Sequence, residues 1–380
     1  MDEKRNIALF APATDVQEWE ALREPLLNGH LISGARVEAF EREFARKHRV
    51  RYAIATNNGT SSLHLILVAL GIQEGDEVII SAFSWVSAIN VVLYCGATPV
   101  LVDINPDTFN LDIQEVANQI GKRTKAIIVS HSFGLCANLQ AIAALAPEIP
   151  IIEDATCAIG SQYGYNYAGS IGVAGAFSFH SRQIITTGDG GMVTTNDEQI
   201  AEKIMALRNH GASLSAAQQK LGPKPYLAPS FNLLGFDYLL SDLQGAIGLI
   251  QLQKLDDLLS FRQYWAEYYY QQLKDLPWLK LPRAPEGYTH SWQKYVCCIN
   301  EEISPLSRNQ IMEFLQVQGI STRPANLAIH TLTYNQIRFG FEEADYPTAR
   351  DCALKSLTIP LHNRMSSADF EYVVKKLQQI

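Results

Sequence analysis

Residues 149–158 read IPIIEDATCA. Apolar residues run almost unbroken into two carboxylates, Glu153 and Asp154, and then into small residues. A strand with one wet face alternates apolar with polar side chains, whereas an unbroken run fits a strand covered on both faces. Strands covered in that way belong to a parallel sheet held between layers of helix. The pattern recurs at RYAIATN (51–57), DEVIISAF (76–83), TPVLVDI (98–104), KAIIVSHS (125–132), GAFSFHS (175–181) and GMVTTN (191–196). Helical stretches alternate with these runs, so the expected fold is α/β with a mostly parallel seven-stranded central sheet. Ligands of such sheets bind at the carboxyl ends of the strands, which is where Glu153 and Asp154 stand.

Two amphipathic stretches, DVQEWEALREPLLNGH (15–30) and RVEAFEREFARKH (36–48), precede the sheet. From about Leu239 a long helical pattern leads away from it, through residues 241–273, toward a smaller α+β unit around HSWQKYVCCIN (290–300). The expected division is a large domain over residues 1–250, including the N-terminal helices, and a small C-terminal domain over 251–380. The segment ASLSAAQQKLGPKPYLAPS (212–230), rich in Ser, Gln, Pro and Gly, reads as a mobile loop.

With 47% hydrophobic and 18% charged residues, the 380-residue chain can bury a large core. Its formal charge of −8 comes from mixed charges without a basic stripe, which argues against nucleic acid or an anionic lipid surface as partner. No segment has the apolar length of a membrane span, and the charged start MDEKRNIALFAP lacks the apolar run of a signal peptide, so a cytoplasmic location is expected. The six cysteines are scattered without a C-x-x-C pair, so no metal site is expected. Strand alternation sends the adjacent Cys297 and Cys298 to opposite faces.

Four stretches could carry chemistry. In TNNGTSSLHLIL (56–67) a strand ends, Gly59 turns the chain, and Thr60 and Ser61 open a helix. Free N–H groups and hydroxyls there could cradle a phosphate, or simply cap the helix. Asp154 ends a buried strand, where a carboxylate either needs a partner such as the ring N–H of a cofactor or caps the next helix. Trp85 in SAFSWVSAIN (81–90) could stack on a flat ring or pack against protein. The glycines of TTGDGG (186–191) allow a tight turn but match no nucleotide-binding loop.

Taken in order, these motifs resemble the sugar aminotransferase family of fold-type-I pyridoxal phosphate (PLP) enzymes, also called the DegT family. The likeness extends from LISGARVEAFEREFA (31–45) through NNGTSSLHL (57–65), GATPVLVDI (96–104), EDATCAIGS (153–161), FSFHSRQIITTGDGGM (177–192) and LRNHGAS (207–213) to SDLQGAIGL (241–249). The resemblance implies the fold-type-I architecture and conversion of a keto group on a nucleotide-linked sugar to an amine, with glutamate as usual donor. It also implies a homodimer with composite sites. By position it makes Thr60, Ser61 and Ser178 phosphate contacts, Trp85 the ring-stacking aromatic and Asp154 the partner of the pyridine nitrogen.

The chain departs from that family at a decisive place. Five residues after the phosphate-binding serine the family carries the Schiff-base lysine, and here stands Gln183. An amide nitrogen, its lone pair delocalised into the carbonyl, is neither a nucleophile toward an aldehyde nor a base near neutral pH. Transamination through Gln183 is therefore not expected, and PLP or its amine form, PMP, is expected to bind non-covalently if at all. Arg182 stays protonated and cannot take over. His180 is the nearest candidate base in sequence, with a structural role as its plainer reading. A branch of the family has histidine for the lysine and performs dehydration on PMP.

Two further departures accompany Gln183. Asp237 stands where relatives commonly place an asparagine that reaches the cofactor phosphate of the neighbouring subunit, and an aspartate there repels phosphate unless a cation intervenes. Leu327, in ISTRPANLAIH (320–330), stands where similar members often carry histidine. Three readings are open. The chain is a nucleotide-sugar enzyme of this family with chemistry altered by Gln183, or an engineered Lys→Gln trapping variant of an active one. Alternatively it is a non-catalytic homologue that keeps the fold and dimer, or a PLP-independent enzyme.

Overall fold

The computed structural model describes residues 5–213, 224 and 226–380, so most of the loop expected to be mobile, 212–230, lies outside the described residues. All seven apolar runs form strands of one sheet: β1 (Tyr52–Thr56), β2 (Glu77–Ser81), β3 (Thr98–Val102), β4 (Thr124–Ser130), β5 (Ile151–Asp154), β6 (Ala174–Ser178) and β7 (Gly191–Thr195). Their order is β1-β7-β6-β5-β4-β2-β3. β7 runs antiparallel to both neighbours, and the remaining pairs are parallel. Val78, Ile79 and Ile80 are all fully buried although their side chains alternate between faces, because both faces are covered.

Helix α1 (Ala35–His48) buries Val37, Phe40, Phe44 and His48, one stripe of its surface. The long helical pattern after Leu239 divides at Lys254 into α4 (Asp242–Gln253) and α5 (Leu255–Leu273). The lysine is held at the break, its Nζ donating to Glu18 Oε1 at 2.7 Å and pairing with Asp15 at 2.9 Å. α4 lies close on α1 because it offers glycines there: a Cβ on Gly245 would stand 2.7 Å from the Val37 nitrogen. Asp242 completes the joint, its Oδ1 accepting the N–H groups of Gly34, Arg36 and Val37 at the start of α1. The N-terminal stretch 15–30 forms two short helices, Val16–Ala21 and Arg23–Asn28, rather than one.

A second core gathers Ile7 with residues from Ala266 to Leu377 around an antiparallel three-stranded sheet, Leu279–Lys280, Tyr295–Ile299 and Ser356–Ile359. Cys297 packs into this core while Cys298 faces the main one, the opposite-face arrangement that strand alternation requires. Helix α5 bridges the two: Leu255 and Leu258 pack with the sheet-side cluster, and Tyr269 and Leu273 with the second core.

Two buried histidines make the fold acid-sensitive. Burial holds His48 down at about 4 and His290 at about 3. His48 stacks on Phe44 at 4.1 Å, and the His290 Nδ1 accepts the Trp292 N–H at 2.8 Å. Both stay neutral in the folded chain below pH 6.5, where the unfolded chain binds their protons. Stability is thus full above about pH 6.5 and is lost as pH falls toward the folded values. Urea unfolding at pH 7 and pH 5 should differ by up to about 2 kcal/mol per histidine. Replacing His48 with phenylalanine should remove its share, and an unchanged pH dependence in that variant would contradict the assignment.

Candidate functional site

The site is built where β1, β5 and β6 end. From β1 the chain passes through Asn57 and Asn58 and turns at Gly59 into α2 (Gly59–Ala69). Asn58 is the cap, its side-chain oxygen accepting the Ser61 N–H at 2.8 Å. The capping role considered for Thr60 and Ser61 is therefore filled by Asn58, which precedes Gly59. Glycine is needed at 59 for close approach: a Cβ there would lie 2.9 Å from the Ser178 Cβ, 3.1 Å from Thr156 Cγ2 and 3.2 Å from the Phe177 carbonyl oxygen. Thr60 and Ser61 at the start of α2 are thereby brought to Ser178 at the end of β6 and to Thr156 just after β5. Helix N–H groups and hydroxyls converging in this way suit a phosphate.

The two carboxylates at the end of β5 part company. Glu153 is fully buried and wholly engaged: Oε2 accepts from His131 Nε2 at 2.8 Å and from the Gly169 N–H at 2.7 Å, and Oε1 accepts the N–H groups of Ile171 and Gly172. His131 Nδ1 accepts the Ala137 N–H at 3.0 Å, which assigns the ring proton to Nε2. Glu153 thus fixes the 169–172 turn. Asp154 accepts the Thr156 hydroxyl at 2.5 Å and N–H at 3.2 Å on Oδ1, and the Ser130 hydroxyl at 3.2 Å on Oδ2. These bonds close a turn, not a helix cap. They also orient the carboxylate while leaving it acceptor capacity for one more N–H.

Beyond β6, the Gln183 N–H donates to the His180 carbonyl at 2.9 Å. Gln293 holds the residues on either side: its Oε1 accepts the Ile184 N–H at 3.1 Å and its Nε2 donates to the Arg182 carbonyl at 2.7 Å. Position 183 is rigidly placed, yet its Oε1 is buried without a partner. The Gln183 side chain meets Cys157, whose thiol is pushed up by burial against the opposing pull of the Lys294 ammonium. Burial and nearby Arg182 lower Lys294 in turn. The Lys294 Nζ donates to the Ala325 carbonyl at 2.9 Å and stands 5.1 Å from the Phe133 ring centre.

Sequence reasoning missed Lys294, Cys157 and Gln293, which come from far along the chain or read as ordinary core residues. The other expected residues lie around this centre. His180 is exposed, and its Nδ1 accepts the Arg182 N–H at 3.2 Å, so the ring closes a turn on the solvent side. Trp85 caps α3 (Val86–Tyr94) with 60% of its surface exposed, enough to leave a ring face open. Leu327 pairs across from Ser84, one residue from Trp85, and so edges the same region. Asp237 is exposed, 3.9 Å from His210 Nε2, and the carbonyl of its neighbour Tyr238 accepts the Asn57 N–H at 3.0 Å, next to the cradle. Asn57 Oδ1 is a second buried oxygen without a partner.

The chain matches known proteins along its whole length. The model of the DegT/DnrJ/EryC1/StrS aminotransferase family covers residues 12–378. The spore coat polysaccharide biosynthesis protein SpsC of Bacillus subtilis (strain 168) is 34% identical over 385 aligned residues, covering 100% of this chain and 99% of SpsC. The structure of the aminotransferase TlmJ from Streptoalloteichus hindustanus superposes with a TM-score of 0.89 at 30% identity, covering 98% of each chain. The E. coli GDP-4-keto-6-deoxy-D-mannose-3-dehydratase, solved with bound hydrated PLP, gives 0.89 at 25% identity over 99% of this chain and 100% of that one. The architecture is that of PLP fold-type-I aminotransferases, and the chain belongs to the DegT/DnrJ/EryC1/StrS aminotransferase family.

Proposed function

We propose that this chain binds PLP or PMP without a covalent bond to residue 183 and acts on, or binds, a nucleotide-linked keto-sugar without ordinary transamination. The observation that carries the reading is the cradle at Gly59, Thr60, Ser61 and Ser178, with Asp154 oriented by Ser130 and Thr156 beside it. The residues fit the cofactor. Gly59 lets the start of α2 come close to Ser178 and Thr156, and Gln183 and Asn57 present buried oxygens with unmet capacity.

In this reading Thr60, Ser61 and Ser178 hold the phosphate and Asp154 takes the ring N–H. Trp85 covers the ring, and His180 stays outside as a turn residue. When bound, the cofactor supplies an electron sink. Gln183 supplies neither a nucleophile nor a base, and Asp154 keeps a proton on the ring nitrogen by accepting its hydrogen bond. Asp237 comes from the partner subunit of a homodimer, with His210 Nε2 of its own chain 3.9 Å away. Exposed apolar surface close to Asp237 supports that dimer: Tyr94 stands 5.6 Å from His64, which packs on Phe236 and Tyr238. The division near residue 250 places the cofactor cradle in the large domain and Lys294 in the small one.

Equilibrium dialysis with PLP tests the site. The native chain should retain the cofactor, and Thr60→Asp, which sets a carboxylate against the phosphate at a first-turn position that suits aspartate, should lose it while remaining folded by circular dichroism. Equal retention by the two proteins would place any bound cofactor elsewhere.

A further inference from the structure

Gln183 does more than lack a lysine's chemistry. Its backbone is pinned by Gln293 on both flanks and by the His180 carbonyl, so the side chain is presented at a fixed place. Its amide meets Cys157, and the remaining oxygen, Oε1, is buried with no donor in contact. The Lys294 ammonium, which acts on Cys157, donates to the Ala325 carbonyl. A buried carbonyl oxygen left without a donor is costly, which makes it a demand for a ligand group of one kind: an N–H or O–H donor.

We propose that Gln183 makes this pocket selective for the amine form of the cofactor, the aminomethyl group of PMP donating to Gln183 Oε1. The inference rests on the cofactor reading above and sharpens it. The unhydrated aldehyde of PLP offers only an acceptor, so it leaves Gln183 Oε1 unsatisfied unless the amide turns over. PMP satisfies the oxygen through an N–H of its aminomethyl group. Selection here comes from hydrogen-bond polarity and from the charge of the amine, because the two ligands share the ring, the phosphate and nearly the same shape.

The test is a calorimetric titration of the purified full-length chain with PMP, PLP and 4-deoxypyridoxine phosphate, which keeps the ring and phosphate but has a methyl group at the reactive carbon. PMP should bind tighter than PLP by roughly 5- to 100-fold, the range for pairing a buried polar group. In Gln183→Leu, similar in size but without the acceptor, that preference should vanish while all three ligands still bind. Gln183→Glu, which keeps an acceptor, should retain it, so a folding defect in one variant does not decide the matter. Equal affinities in the native chain, tighter PLP, or a preference that survives in Gln183→Leu would overturn the inference while leaving the cofactor site standing. If none of the three binds, both the inference and the cofactor reading fall.

Discussion

The purified chain is expected to move no amino group from glutamate to a nucleotide-linked keto-sugar, whether the solution is mildly acidic or mildly basic. In the proposed reading the fold offers a cradle, a ring partner and a rigid position 183, but the side chain there has no free lone pair on nitrogen with which to attack a carbonyl or accept a proton. Losing a positioned base alone costs roughly 10²–10⁴ in rate, and here the covalent role is absent as well. Gln183→Lys should therefore produce transamination from a background of none. The backbone clamp by Gln293 does not depend on the side chain at 183, so the new amine will project from the same fixed point. Asp237→Asn, which removes a negative charge that the proposed reading sets near the phosphate, should improve cofactor affinity further. Robust amino transfer by the unmodified chain, followed as keto acid release, would refute the expectation.

Glu153→Ala should be the most damaging single substitution for the fold. It removes four acceptor contacts at once and strands His131 Nε2–H and the N–H groups of Gly169, Ile171 and Gly172 in a dry interior. Breaking a buried, fully paired group of this kind costs about 3–5 kcal/mol. That is a large part of the roughly 5–15 kcal/mol by which a domain is stable. Glu153→Gln should also be destabilising, because an amide offers one acceptor oxygen where the carboxylate offers two. The exposed Glu148→Ala serves as control and should stay within about 0.5 kcal/mol of the native chain. Urea denaturation of the three variants gives the ranking, and a Glu153→Ala midpoint equal to that of the control would contradict the structural role.

The strands are legible in the sequence because a sheet covered on both faces is written as unbroken Val, Ile and Ala, as at Ile127, Ile128 and Val129. The cradle is legible in part because Gly59, Thr60 and Ser61 are contiguous. That Asn58 and not Thr60 or Ser61 caps α2 is hidden, since all three residue types can do so and only backbone geometry chooses. The adjacent Glu153 and Asp154 look equivalent in the sequence, yet strand alternation sends them to opposite sides, one into a structural network and one toward the cleft. Lys294 and Gln293 are invisible there as site residues because nothing local distinguishes them. Tertiary packing alone brings the second core's edge against residues 182–184.

The central claim is that position 183 gives the cofactor a place without a covalent hold. Borohydride reduction of the PLP-loaded protein, followed by intact mass and peptide mapping, tests it most directly. The account predicts a chain of unchanged mass that releases its PLP on denaturation, while Gln183→Lys gains a single pyridoxyl group at residue 183. A pyridoxyl group fixed to a lysine of the unmodified chain within this pocket would contradict it.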